Sequence, residues 1–143
     1  MNIKLLSLYF LSIIFPLAKG QTWQQKAPLD LRYNATAFTI GPNGFVATGS
    51  TLSGVSTDVK AYNPQSNSWN TVAAFAGSAR ETAVSFSYQN HGFVGLGWNG
   101  STTFTDFYKY DVILNAWSPV SSFPGYGGRN GVAASIGPKA YVS

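Results

Sequence analysis

Three arginines, Arg32, Arg80 and Arg129, recur at nearly equal spacing along the chain. A guanidinium is always charged, and its planar fork of donors grips carboxylates two bonds at a time. A recurrent set is therefore a candidate clasp for acidic sugars or peptide carboxylates. The competing reading is that each arginine binds loop carbonyls and serves the fold, since regular recurrence is what a fold requirement looks like. Trp98 breaks an otherwise repeating pattern and is the candidate binding aromatic, with plain packing as its alternative. The carboxylates are Asp30, Asp58, Glu81, Asp106 and Asp111. Asp58 and Asp106 stand at equivalent places in the repeating pattern, which favours turn stabilisation over a glycosidase pair. His91, the single histidine, reads as a solvated turn residue without partners for a metal. No metal and no cofactor is expected. The chain has no cysteine, so disulfides, thiolate metal sites and cysteine nucleophiles are excluded. A serine nucleophile elbow, HExxH and the phosphate-binding GxxxxGK[ST] loop are all absent, so no catalytic constellation argues for an enzyme.

The elements that must position these residues repeat, with a period of roughly 48 residues. Trp23, Trp69 and Trp117 mark it out. Gly44-Phe45-Val46 returns one period on as Gly92-Phe93-Val94 and again as Ala140-Tyr141-Val142. Thr57-Asp58 returns as Thr105-Asp106, and Tyr62 as Tyr110. Each repeat reads as four short strands. The first runs from Arg32 to Ile40 and from Arg80 to Tyr88. The second is Phe45–Thr48 and Phe93–Leu96, after the turns Gly41-Pro42-Asn43-Gly44 and Gln89-Asn90-His91-Gly92, whose Gly and Asn can take positive φ. The third is Val59–Tyr62 and Phe107–Tyr110, and the fourth begins at Trp69 or Trp117. Four-stranded antiparallel units at this period are blades of a β-propeller. Small residues such as Ala35, Ala37, Ala83, Ser85, Ala133 and Ala134 suit an innermost strand, where blades converge. Trp69, Trp117, Tyr62 and Tyr110 suit the wider gaps outside. In such a ring the three arginines would face one mouth of the central channel.

Composition agrees with an all-β chain. Of 143 residues, 15% are aromatic and 10% charged, with 15 Gly and 7 Pro, which excludes coiled coil and collagen. The net charge of +4 comes from scattered cations rather than a basic stripe, so nucleic acid is not an expected partner.

The residues "ARETAVSFSYQNHGFVGLG", "TDVKAYNPQSNSW" and "TDFYKYDVILNAW" resemble the Kelch repeat. The similarity extends to secreted bacterial Kelch proteins and the galactose oxidase-like central domain, and covers 21–143. The resemblance departs where the family has a double glycine, here Gly49-Ser50 and Gly97-Trp98. It implies a partial Kelch propeller with one lone outer strand at Trp23, two full blades and the start of a third. The repeats span about 32–77, 80–125 and 129–143. It implies a scaffold for protein or carbohydrate, or else a fragment of a carbohydrate-active enzyme of galactose oxidase-like or sialic-acid epimerase-like type. Galactose oxidase chemistry needs two histidines and a Tyr–Cys cross-link, and this segment supplies neither.

Residues 1–20 read as a secretory signal: Lys4, an apolar run from Leu5 to Leu17, then Ala18-Lys19-Gly20 before cleavage at Gln21. Export to the extracellular space or periplasm follows, and the apolar run is too short for a membrane anchor. A propeller needs about 4–8 blades, so the missing ones are expected from downstream sequence or from other chains; a truncated product without function is the remaining alternative. Asn34-Ala35-Thr36 and Asn99-Gly100-Ser101 match the N-glycosylation pattern, the first within an expected strand.

Overall fold

The computed structural model describes residues 23–143, so the leader read from 1–20 lies outside the described residues. The described chain is all-β, with twelve strands and no helix. β1 (Thr36–Ile40) and β2 (Asn43–Ala47) are followed by a minor hairpin, β3 (Ser50–Thr51) and β4 (Gly54–Val55), then by β5 (Val59–Asn63) and β6 (Ser68–Thr71). The first sheet has the order β1-β2-β5-β6. The second repeats it with β7 (Val84–Tyr88), β8 (His91–Gly95), β9 (Phe107–Asp111) and β10 (Ala116–Val120). A hairpin of β11 (Ala133–Ile136) and β12 (Lys139–Val142) follows. All pairings between these strands are antiparallel.

Alternation along β1 turns Thr36, Phe38 and Ile40 inward and leaves Ala37 and Thr39 exposed, the period-2 pattern of a sheet packed on one face. What it packs on is the second sheet. Phe38, Ile40, Phe45, Ala47, Val59, Phe75, Val94 and Tyr110 form the core between the two. Phe38 stacks on Phe45 at 5.1 Å between ring centres and meets Trp117 edge-on at 6.3 Å. A smaller cluster of Val84, Leu96 and Phe107 lies between the second sheet and the β11–β12 hairpin. Hydroxyls join the first strands of successive units. Ser85 Oγ donates to Ala37 O at 2.7 Å, and Ser135 Oγ to Ser87 O at 2.6 Å. Farther along each sheet, Tyr62 faces Trp69 and Tyr110 faces Trp117 across neighbouring strands.

The backbone repeats as closely as the sequence does. Left-handed φ values recur at Asn34, Thr82 and Asn130 (55°, 55° and 59°), at Thr48 and Leu96 (60° and 53°), and at Asn67 and Asn115 (49° and 48°). They recur once more at Gly41, Gln89 and Gly137 (56°, 52° and 55°), the first residue of each two-residue hairpin loop. Glycine fits there and glutamine does not, because a Cβ is penalised at positive φ. Gln89→Gly is expected to raise unfolding free energy by about 0.5–1 kcal/mol, read as a higher denaturant midpoint at unchanged m.

Several expectations are corrected. The first strand of each full unit begins at Thr36 and Val84 rather than at Arg32 and Arg80, because the left-handed Asn34 and Thr82 break the extended run. Gly44 and Gly92 lie inside β2 and β8, not in the turns, which close one step earlier. His91 is likewise a strand residue, partly buried and 3.6 Å from Asp111. No strand forms at Trp23, which is fully exposed in an irregular segment. Shortly after it, Ala27 O accepts from Trp69 Nε1 at 3.0 Å, as Ala73 O accepts from Trp117 Nε1 in the second unit.

Candidate functional site

The ends of β2 and β8 share one rim with the residues that lead into β1, β7 and β11. Tyr33 and Ser50 exchange backbone hydrogen bonds there, and so do Glu81 and Trp98 at the equivalent place in the next unit. Bonds between units continue the line: Gly49 N to Arg80 O at 2.9 Å, Gly97 N to Gly128 O at 2.7 Å, and Thr82 N to Asn34 O at 2.8 Å. Gly49 and Gly97 are required for this. Both have φ near +90° (90° and 93°), and a Cβ would lie 2.8 Å from Tyr33 O or 2.7 Å from Glu81 O. The rim is thus a backbone frame of fixed geometry on which side chains can vary.

Beneath it sit Arg32 and Arg80, and their placement corrects the expectation of ligand-clasping guanidiniums. Arg80 is fully buried. Its Nε donates to Ser78 O at 2.9 Å, its Nη1 to Leu96 O at 3.0 Å, and its two terminal nitrogens grip both oxygens of Asp106. The guanidinium carbon lies 4.0 Å from the ring centre of Phe104 and 4.9 Å from that of Phe75. Arg32 repeats the arrangement in part, with Nη2 to Asp58 Oδ2 at 2.7 Å and Nη1 to Thr48 O at 3.2 Å, while its buried Nε has no hydrogen-bond partner among the described residues. The left-handed turn at Thr48 or Leu96 presents the carbonyl that the arginine holds. Asp58 and Asp106 are therefore counter-ions of buried arginines rather than turn residues. Burial pushes the Asp58 carboxyl up; hydrogen bonds and charge from Arg32 and Lys60 outweigh that and hold it below the usual carboxylate range. Two positions that sequence offered for binding belong to the scaffold.

Arg129 is different, because it is not the third member of that set. The bond from Gly97 to Gly128 repeats the bond from Gly49 to Arg80, so Gly128 occupies the arginine register. Arg129 falls one step later, at the position of Tyr33 and Glu81, and is exposed. Its guanidinium carbon lies 4.8 Å from the Trp98 ring centre, and it makes no hydrogen bond among the described residues. Glu81 Oε2 accepts from Ser50 Oγ at 2.6 Å and from Asn34 Nδ2 at 3.1 Å. Those bonds, foremost Ser50, and the charge of Arg129 hold the Glu81 carboxyl below its ordinary range. Its Oε1 has no partner among the described residues. The structure thus brings Trp98 and Arg129 together, and adds Glu81, Tyr33 and Asn34, which sequence reasoning missed. Asn34 lies in a bend before β1 rather than within a strand.

An apolar cavity of about 380 Å³, lined by Phe86, Phe93, Phe107, Val120 and Phe123 among others, lies where the β11–β12 hairpin covers only part of the second sheet. It contains none of the rim residues. Among the described residues no helix is long and apolar enough to cross a membrane.

No protein-family model matches this chain, and no curated protein does. Among solved structures it is similar to YjhT, with a TM-score of 0.78 and 22% sequence identity over 88% of this chain. The chain spans 49% of the length of YjhT. At that identity the similarity concerns the fold alone.

Proposed function

We propose that 23–143 form an arc of a Kelch-type β-propeller that acts, once exported, as a binding scaffold, and that its rim takes a carboxylate-bearing protein or glycan. The observation that carries this is one backbone register holding three unlike side chains, Tyr33, Glu81 and Arg129, of which Glu81 is paired with Trp98 through its backbone and Arg129 lies over the Trp98 ring. The frame repeats and the chemistry does not. Repetition serves a fold; divergence on a repeating frame is what a site requires. Arg129 supplies free donors for a carboxylate, Trp98 and Tyr33 supply aromatic faces, and Glu81 Oε1 supplies an acceptor for a hydroxyl or amide. The repeat motifs and the two successive four-stranded antiparallel sheets of like strand order support the propeller reading.

The test is titration of glucuronate, N-acetylneuraminate and a glutamate-rich peptide, followed by indole fluorescence and amide chemical shifts. Shifts centred on Trp98 are expected with at least one probe. Arg129→Ala should then weaken binding about tenfold or more, the scale of a lost charge-assisted contact, with an unchanged melting temperature. Absence of any response at Trp98, or indifference to Arg129→Ala, would overturn the reading. A second reading, part of an enzyme acting on acidic sugars, is favoured by the convergence of Arg129, Trp98 and the free Oε1 of Glu81 on one rim, where Glu81, held below its ordinary range, would accept a hydrogen bond rather than shuttle a proton. An oxidase of the galactose oxidase type finds no support: His91 lies at the end of β8 away from the rim.

A further inference from the structure

Two rim side chains of opposite charge each rest on a residue of the unit before, and the support matches the charge. Ser50 and Trp98 follow the two rim glycines, Gly49 and Gly97. Ser50 donates from Oγ to Glu81 Oε2 at 2.6 Å, and Asn34 adds a second bond to the same oxygen at 3.1 Å. One period on, the Trp98 ring carries the Arg129 guanidinium, 4.8 Å from its centre. A hydroxyl thus holds a carboxylate and an indole face holds a cation, the kind of partner each charge favours. Glu81 and Trp98 also face one another as a hydrogen-bonded backbone pair, at 2.8 and 3.0 Å, so their side chains leave the frame as neighbours. Two fixed charges of opposite sign therefore flank one indole. Among the described residues, Glu81 and Arg129 form no ion pair with each other. The charge of Arg129 still reaches Glu81, adding to the bonds from Ser50 and Asn34 that hold its carboxyl below the usual range. Opposite charges that attract without touching leave a gap that a ligand can span.

We propose that the rim selects a ligand bearing both a carboxylate and an ammonium, the carboxylate held by Arg129 and the ammonium by Glu81 Oε1, with Trp98 beneath the link between them. The selection rests on the carboxylate reading above. Glu81 is the discriminating group. A plain carboxylate that approaches Arg129 also approaches Glu81, and that repulsion offsets part of its attraction. A cation on the same ligand turns Glu81 from an obstacle into a partner. Oε2 is committed to Ser50 and Asn34, which fixes the carboxylate in advance and leaves Oε1 for the ammonium. A guanidinium has more N–H donors than one carboxylate can take, so other contacts of Arg129 leave the site open.

The test is titration with β-alanine, γ-aminobutyrate and ε-aminocaproate, each against the amine-free acid of the same length, followed by indole fluorescence and amide chemical shifts. At least one amino acid should bind about tenfold tighter than its matched acid, the scale of one added charge-assisted hydrogen bond. That comparison on the parent chain decides without any variant. Glu81→Gln keeps a carbonyl acceptor for Ser50 and should reverse the preference: the amino acids weaken, while the plain acids and glucuronate tighten. Arg129→Ala should weaken both classes. Glucosaminuronate and an end-capped lysyl-aspartate dipeptide present the same two charges on a sugar and on a peptide, and the one that gains more over its amine-free analogue identifies the source. Amino acids no tighter than plain acids, or plain acids indifferent to Glu81→Gln in a variant with the parent's melting temperature, overturn the proposal. The carboxylate reading survives that outcome if Arg129→Ala still weakens the plain acids. Silence of Trp98 towards every probe defeats both.

Discussion

Arg80→Ala is expected to lower the unfolding free energy by about 3 kcal/mol, the low end of the range for breaking a buried ion pair. Three losses contribute. Asp106 loses both hydrogen bonds of its grip, Leu96 O and Ser78 O lose their donor, and Phe75 and Phe104 lose the group packed between them. The carboxylate of Asp106 is 34% exposed and can rehydrate, which keeps the effect from the top of the range. Arg80→Lys should recover little, because an ammonium cannot hold both carboxylate oxygens in plane and also reach two carbonyls. Arg32→Ala should cost less, since Lys60 lies 3.4 Å from Asp58 and remains to pair with it. Thermal melts of the four proteins, parent included, check the order. A melting temperature unmoved by Arg80→Ala, with ligand binding weakened instead, would return Arg80 to the site.

The outcome matters because sequence alone gives Arg32, Arg80 and Arg129 a single role, and the structure divides them. The period was legible from aromatic and glycine landmarks, and the strands built on it lie within a few residues of where they were expected. What sequence concealed was register. Aligning arginine with arginine makes the third copy one residue short before Ala140. The backbone instead aligns Asn34 with Thr82 and Asn130, and Gly41-Pro42 with Gly137-Pro138, two periods apart without a gap. The shortfall was the signal that Arg129, not the chain, had moved. The Arg–Asp pairs were hidden for a different reason. Asp58 and Asp106 look like local turn formers, and their partners stand 26 residues earlier, beyond any local pattern. Their equal spacing in both copies was the available hint. Glu81 and Tyr33 carried none, because a site built from differences is invisible to a search for repeats.

Compensating differences also occur in the core, and they make the second large effect testable. Ala47 and Val59 face one another across β2 and β5; the equivalent pair in the second sheet is Gly95 and Phe107 across β8 and β9. Volume has moved from one strand to the other. A Cβ on Gly95 would overlap the Phe107 ring, which is itself buried against Phe86 and Leu96 in the second cluster. Gly95→Ala should therefore destabilise by about 2–3 kcal/mol through overpacking, despite replacing a glycine in a strand. Phe107→Val alone should cost about 2–4 kcal/mol through the cavity it leaves. Joined, the two substitutions recreate the Ala47–Val59 pair of the first sheet. The double variant should be more stable than the sum of single losses predicts, by about 1–2 kcal/mol, as expected of residues in direct contact. Chemical denaturation of the four proteins gives the coupling directly. Additive losses would mean that Gly95 is fixed by backbone demands unrelated to Phe107, and that the two sheets reach the same geometry by separate means.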